Sequence, residues 1–431
     1  MSKPVTGTTH VGERRERRPN GDVYLYERVT AYNEQARKTY TVSQKLKGKI
    51  KSGTQEVITT RPKKRKGEGV VACAVRRHSG LTDILEWVGA ASGIDDDLRS
   101  SFSEGDAAKI LSIARYWIGS GGNTLPRLEG WQVMHSLPYS EAITEDVYGD
   151  LFKSVGRNED GVQHYFSFRA DRLGKHPVLV FDSTTIFTYS ENQSEARRGF
   201  NKDGDGLNTI KLLTLYSVKE REPLAFARQP GNVPDVISIE NALTQLKCFS
   251  LEKPLIVTDN GYYSQENMMK FALRNMKFLT YFGYFALVSN QSMGTFTALE
   301  DYRLREKIEE LFAVNKGGLD GARPRTWYPD NLRGRQFVQF VSLGYHCFLT
   351  KKIKEMREGL GKNKSEKTAA LVKLENNLDK WLEQRSLAQI LDWFDCIETT
   401  HVQTAMGNYR WSTESVQRDR LFLEYLGVPC K

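Results

Sequence analysis

Cysteine is scarce in this chain of 431 residues: Cys73, Cys248, Cys347, Cys396 and Cys430 are odd in number, far apart, and form no CxxC pair. That scatter excludes a disulfide framework and a cysteine zinc finger, and it fits a reducing cytoplasm. Long apolar runs are missing too. A membrane span needs about 18 apolar residues, and the longest candidate, Phe337 to Leu349, is broken by Gln339, Ser342, Gly344 and His346. The opening MSKPVTGTTHVGERRERR has basic residues with no apolar segment behind them, so neither a signal peptide nor membrane association is expected. No helix-turn-helix pattern stands out, which leaves sequence-specific DNA readout without assignable residues.

What is present is a lopsided charge. The net charge is +9, but residues 1–66 hold 17 Lys and Arg against 6 Asp and Glu, while the rest of the chain is slightly acidic. All the excess basicity sits in the first sixth, which is the footprint of an arm that binds a polyanion, with nucleic acid the natural partner. Within it, Arg14, Arg15, Arg17 and Arg18 precede an alternating DVYLYERV strand, and KTYTVSQKLKGKIK is a second strand. Lys45, Lys47, Lys49 and Lys51 at every second position are expected on one face. The run RPKKRKGEG reads as a linker.

From about Leu81 to Arg172 the apolar spacing turns helical, with Thr82, Ser103 and Thr144 as expected caps. Trp117, Trp131 and Tyr139 read as packing residues. HPVLVFDSTT then gives a strand buried on both faces, Val178 to Phe181, with Asp182 expected where it emerges. A carboxylate there has no cheap structural role. TIKLLTLYSV and EPLAFARQ form a hairpin turning at Lys219 to Arg221, and PGNVPDVISIENALTQLKCF is a Gly-Asn turn entering an amphipathic helix. KPLIVTDNG repeats the first device: a short buried strand, Asp259 at its exit, and an Asn260-Gly261 turn. Two parallel strands ending in Asp would bring both carboxylates to one sheet edge, where ligand chemistry of open α/β sheets is found. A helix, SQENMMKFALRN, and two strand pieces, MKFLTYF and YFALVSN, follow.

The next stretch, YRLREKIEELFAVNK, is expected to be one helix. At 100° per residue Tyr302, Arg305, Glu309 and Lys316 fall within about 60° of one another, opposite Leu304, Ile308, Leu311 and Phe312. A carboxylate beside a phenol, a guanidinium and an ammonium suits a site that holds a metal and a phosphate backbone together. Glu306, at the edge of the same stripe, is a rival to Glu309. Asp203 and Asp205 in GFNKDGDG read as a flexible turn, Asp235 as a helix cap, and His176 and His346 as packing or hydrogen-bonding residues.

The spacing Tyr302, Arg305, Glu309, Lys316 resembles the Tyr-Arg-Glu-Lys signature of bacterial insertion-sequence transposases of the DDE type. The resemblance implies a ribonuclease H-like α/β core with a mixed sheet, in which Asp182, Asp259 and Glu309 are the catalytic, metal-binding triad. It implies Mg²⁺ or Mn²⁺, two ions per active site, with Asp182 bridging them, and it implies double-stranded DNA, both transposon ends and target, as partner. The reaction implied is cleavage at the ends and joining of the 3′ hydroxyls to target DNA, by a homodimer on DNA in the bacterial cytoplasm, at the nucleoid. Tyr302, Arg305 and Lys316 would grip the transposon end, with Arg323 and Arg325 lying beside DNA; Arg333 belongs to the same basic group. Phe337 to Leu349 would be a buried helix returning to the sheet.

The expected organisation is a basic DNA-binding arm over 1–66, a helical domain over 67–172, the catalytic domain over 173–350 and a helical C-terminal region over 351–431. Only 49 residues separate Asp259 from Glu309, where many relatives insert a β-rich subdomain, and TYFGYF marks the place where a segment would be missing. Two alternatives follow: a ribonuclease H-fold DNA endonuclease without strand transfer, and a catalytically defective remnant that binds transposon ends.

Overall fold

A computed structural model describes residues 9–34, 36–54, 57–58, 71–199, 206–245, 253–282, 286–319, 321, 325–362, 367–404 and 407–429. Asp203, Asp205, Arg323 and the whole RPKKRKGEG run lie outside them, as does part of TYFGYF. The chain forms two compact units, Met1–Ala74 with Val402–Tyr409, and Val75–His401 with Arg410–Lys431.

In the first unit, strands β1 (Thr9–Arg17), β2 (Val23–Asn33), β3 (Lys38–Ile50) and β4 (Val57–Ile58) form an antiparallel sheet in sequence order. The arginine cluster is therefore itself a strand. Arg14 pairs with Tyr26, Arg15 with Leu25 and Arg17 with Val23. The lysines of β3 do not share a face. Lys45 pairs with Glu27 and Lys49 with Tyr24, and between them the register shifts at a bulge. Partners three residues apart on β2 point to opposite faces, so one extra residue at the bulge sends Lys45 and Lys49 to opposite sides. Lys47, at the bulge, pairs with Glu27 at 3.1 Å.

The second unit begins with β5 (Val71–His78), whose first residues belong to the first unit, and continues through helices α1 (Ser79–Ser92), α2 (Ile94–Ser101), α3 (Glu104–Gly119), α4 (Leu128–Gln132), α5 (Glu145–Arg157) and α6 (Glu159–Asp171). Ser103 caps α3 by accepting the Asp106 N–H. Thr144 stands at the N-terminal cap of α5 without a side-chain bond. Thr82 lies inside α1, its hydroxyl donating to the His78 carbonyl. Trp117, Tyr116, Phe152, Tyr165 and Phe166 are fully buried, as their apolar spacing requires.

A mixed sheet follows. Strand β6 (Val178–Thr188), the short β7 (Arg197–Arg198), β8 (Asn208–Ser217) and β9 (Glu222–Pro230) lead through α7 (Asp235–Gln245) to β10 (Leu255–Thr258), then through α8 (Gln265–Leu273) to β11 (Lys277–Phe282) and β12 (Ala286–Ser289). The order across the sheet is β12-β11-β10-β6-β8, with β9 and β7 both on β8. β8 runs antiparallel to β6 and β9 to β8, whereas β10 is parallel to β6 and β11 to β10. Three antiparallel strands followed by helix-linked parallel strands on the other side of the first form the ribonuclease H-like core expected from the sequence.

Helices α9 (Thr295–Arg303) and α10 (Glu306–Ala313) follow, then a π-helical turn over Val314–Gly318. The stretch expected as one helix is thus interrupted at Leu304 and Arg305. α11 (Pro329–Gly359) is 31 residues long and buried through Phe337–Tyr345, as expected for the returning helix. It packs on α5 backbone to backbone. A Cβ on Gly334 would come within 2.0 Å of the Phe152 carbonyl oxygen, and one on Gly156 within 1.9 Å of that of Asp330. After α12 (Ala369–Glu383) and α13 (Leu387–Asp395), strands β13 (Glu398–Thr404) and β14 (Gly407–Ser412) interrupt the helical tail before α14 (Gln417–Leu426). Among the described residues no helix is long and apolar enough to cross a membrane.

Helices and sheet share one hydrophobic core, and a buried ionic network joins them. The Arg169 guanidinium, 4% exposed, donates to Asp97 at 3.0 Å, to the Ser92 carbonyl at 2.8 Å and to Glu222 on β9 at 2.6 Å. Arg172 adds two bonds to Asp97, at 2.9 and 2.7 Å. Nearby, Asp95 accepts from Arg115 at 2.7 Å and from the Tyr345 hydroxyl. Because Asp97 and Glu222 share Arg169, its removal strands buried charge. Arg169→Met is expected to lower the unfolding free energy in urea by about 3–5 kcal/mol; a loss under about 1 kcal/mol would show the network to be dispensable.

His346 on α11 is largely buried, and that burial lowers its pKa from 6.5 to about 4. Its neutral form is favoured in the folded chain, so the stability it contributes is present above pH 6.5 and is lost as the pH falls toward 4. Between pH 7 and pH 5 the loss comes to about 2 kcal/mol. His346→Gln is expected to flatten that part of the pH–melting curve, and an unchanged acid limb would contradict the assignment.

Candidate active site

β6 does not end at Asp182; it runs six residues further, to Thr188. Asp182 pairs with Thr214 of β8 on one side. On the other side β10 stops at Thr258, which pairs with Phe181. The residue after Thr258 is Asp259, so the parallel register carries it to the level of Asp182. Carboxylate proximity thus arises from one strand continuing and its neighbour ending.

The two aspartates use their oxygens in the same way. Asp182 Oδ1 accepts the Ser183 N–H at 2.7 Å and the Tyr262 hydroxyl at 3.4 Å. Asp259 Oδ1 accepts the Asn260 N–H at 2.8 Å and the Tyr302 hydroxyl at 3.1 Å. One oxygen of each is fixed by a backbone amide and a phenol. The other oxygens, Asp182 Oδ2 and Asp259 Oδ2, lie 3.6 and 3.5 Å from Arg305 Nη1. Glu309 Oε1, one turn along α10, lies 3.6 Å from the same nitrogen.

Three carboxylates from β6, the end of β10 and α10 therefore converge on one cation. The separations are longer than a good hydrogen bond, so charge rather than directed bonding holds the guanidinium there. Its Nε is buried without a hydrogen-bond partner. Burial pushes the Asp182 carboxyl up to about 6, against the pull of the Ser183 N–H and the Arg305 charge. Burial and the neighbouring Asp259 push the Tyr302 phenol up to about 12, so it remains a donor at neutral pH. Tyr302 is also fixed edge-on by Tyr281, with ring centroids 4.4 Å apart.

Of the three glutamates on α10, Glu309 faces Arg305, Glu310 pairs with Lys307 at 2.5 Å, and Glu306 is exposed in the first turn. Lys316 is half-buried in the π turn and Arg325 is exposed ahead of α11. Arg333 is engaged by Glu195 at 2.5 Å. Asp235 opens α7 as its first helical residue and holds Lys211 at 2.7 Å. Sequence reasoning missed Tyr262, whose one signal is its place three residues after Asp259 in a tight turn.

Residues 173–327 match the family described as the transposase DDE domain. The sheet and the helices that carry the carboxylates are thus similar to a transposase DDE domain. The matched segment contains Asp182, Asp259, Glu309 and both tyrosines that orient the aspartates. No curated protein matches the chain. Among solved structures, the cryo-EM structure of a piggyBac transposase synaptic complex with hairpin DNA is similar at 12% identity and a TM-score of 0.38, covering 73% of this chain and 81% of that one. At that level of similarity the fold is established by the strand order, not by the likeness.

Arg305 offsets the mutual repulsion of the three carboxylates in the transposase domain. Arg305→Gln is expected to lower the melting temperature in EDTA at low salt by a few degrees, with much of the loss recovered on adding Mn²⁺. Equal melting of variant and wild type under both conditions would mean that the guanidinium is not the counter-charge.

Proposed function

We propose that the chain is a metal-dependent DDE transposase that cuts DNA at insertion-sequence ends and joins the resulting 3′ hydroxyls to target DNA. The observation that carries this reading is the convergence of Asp182, Asp259 and Glu309 on one cationic centre within the transposase domain.

The donor set fits a hard divalent ion. Each carboxylate turns an oxygen toward a position already occupied by positive charge, and no soft ligand stands among them. Asp182, Asp259 and Glu309 would hold Mg²⁺ or Mn²⁺, two ions per site. When bound, such ions supply Lewis-acid activation of the attacking oxygen and stabilisation of the leaving one. The chain's own residues do the positioning. Tyr262 and Tyr302, with the Ser183 and Asn260 amides, fix the aspartates so that each presents one free oxygen. Arg305, released from its role as counter-charge, is placed to take a phosphate of the transposon end, with Tyr302 and Lys316 beside it. Arg323 and Arg325 extend that contact, and the basic sheet of the first unit holds further phosphates by charge. Joining two ends in one event calls for a homodimer on double-stranded DNA, working at the bacterial nucleoid in the cytoplasm.

The compact interval between Asp259 and Glu309 favours a second reading, a remnant that binds ends without cutting. The described part of that interval holds the 260–262 turn, α8, β11, β12 and α9, with no β-rich insertion among the described residues.

The deciding experiment measures Mn²⁺-dependent cleavage of DNA carrying the gene's own flanking ends, with wild type, Asp182→Asn and Glu309→Gln compared. Nicking at the end boundary by the wild type, reduced at least about a thousandfold in both variants while DNA binding persists, is expected. Binding without cleavage by all three proteins would replace the transposase reading with the remnant. Cleavage without joined products would leave an endonuclease.

A further inference from the structure

Apart from the carboxylate centre, the second unit gathers two imidazoles and a carboxylate at one place. His78 ends β5 and stands at the N-terminal cap of α1 without a side-chain capping bond. His135 follows α4. Asp395 is the last residue of α13. One ligand atom from each lies within 4.8 Å of the others.

Both rings are held by close polar partners. His135 is 4% exposed and stacks on Trp131 with ring centroids 3.6 Å apart. Its Nδ1 faces the Trp131 carbonyl at 2.7 Å and its Nε2 faces Asp395 Oδ1 at 2.7 Å. A neutral ring has one N–H and can satisfy only one of these acceptors. His78 Nδ1 lies 2.7 Å from the Asp395 carbonyl and 3.3 Å from its Oδ1, while Nε2, 3.7 Å from Glu398 Oε1, is beyond hydrogen-bond reach of it. The two rings stand with centroids 4.7 Å apart. Asp395 sits at the C-terminal end of α13, where the helix dipole favours a cation and the last turn has no basic residue. Glu398 is already engaged by Arg76.

We infer that His78, His135 and Asp395 bind a divalent transition-metal ion of the zinc class, separate from the catalytic carboxylates. The Nδ1–H bond from His135 to the Trp131 carbonyl fixes the tautomer that leaves Nε2 as a ligand, the usual second partner of a metal-bound histidine. Two imidazoles and one carboxylate select Zn²⁺ or Co²⁺ over Mg²⁺. The ion would staple the β5–α1 junction, the turn after α4 and the end of α13.

The test uses the full chain with Asp182→Asn and Glu309→Gln in place, so that the carboxylate centre does not compete. The metal-stripped protein is titrated with Co²⁺ in excess Mg²⁺ and followed by visible absorption, then challenged with Zn²⁺. One equivalent of a d–d band that Zn²⁺ displaces is expected, together with a higher melting temperature. His78→Gln and Asp395→Asn, each checked for folding by circular dichroism, are expected to weaken binding about tenfold or more; His135→Gln serves as a third variant. Absence of the band from the folded protein, unchanged affinity in folded His78→Gln and Asp395→Asn, or a thiolate charge-transfer band placing the ion on a cysteine such as Cys396 would overturn the assignment.

Discussion

The register between β6 and β10 is the constraint on which the convergence of the carboxylates depends. Phe181 opposite Thr258 fixes the next residues, Asp182 and Asp259, side by side, and a slip of one position would turn every side chain of β10 to the other face of the sheet. Both strands are apolar where they pair, so the core enforces the register that the carboxylates need. The repulsion this creates is relieved from outside the sheet. Arg305 reaches Asp182, Asp259 and Glu309 at once because the helical stretch breaks at Leu304 and Arg305, immediately before the turn that presents Glu309.

Each aspartate keeps one oxygen for its scaffold and turns the other toward Arg305. A backbone amide one residue on and a tyrosine from a different element hold Oδ1 in both cases. Ligands fixed in this way need little reorganisation when charge arrives, which is where much of the catalytic advantage of a preformed site lies.

Much of this was legible from the residues. The apolar runs leading into Asp182 and Asp259 marked the buried parallel strands, the Gly-Asn turn announced α7, and the polar interruptions in Phe337 to Leu349 argued against a membrane span, while the family resemblance made that stretch a buried helix. Other features were not, for identifiable physical reasons. Apolar spacing continues through Leu304, so nothing in the periodicity signals the break there. An i, i+4 spacing places Arg305 on the same face as Glu309 but does not say that the guanidinium turns inward. The bulge in β3 depends on pairing with β2, and residue alternation alone cannot foresee an extra residue; the lysines therefore looked one-sided. Tyr262 owes its role to a tight turn that points it back at Asp182, a long-range contact with no local signature.

The Arg169 network has a consequence for what counts as a unit of this protein. The segment recognisable as a transposase DDE domain begins at residue 173, yet Glu222 within it is neutralised from α6, outside it. Excised at the family's limits, that segment would keep Asp182, Asp259 and Glu309 and lose the partner of a buried charge, along with the long helix that closes the sheet. Homology and autonomous folding therefore have different borders here. The preceding helices belong to the scaffold as fully as the strands do, and a shuffled or truncated gene preserving only the recognisable portion would encode the chemistry without the body that holds it in shape.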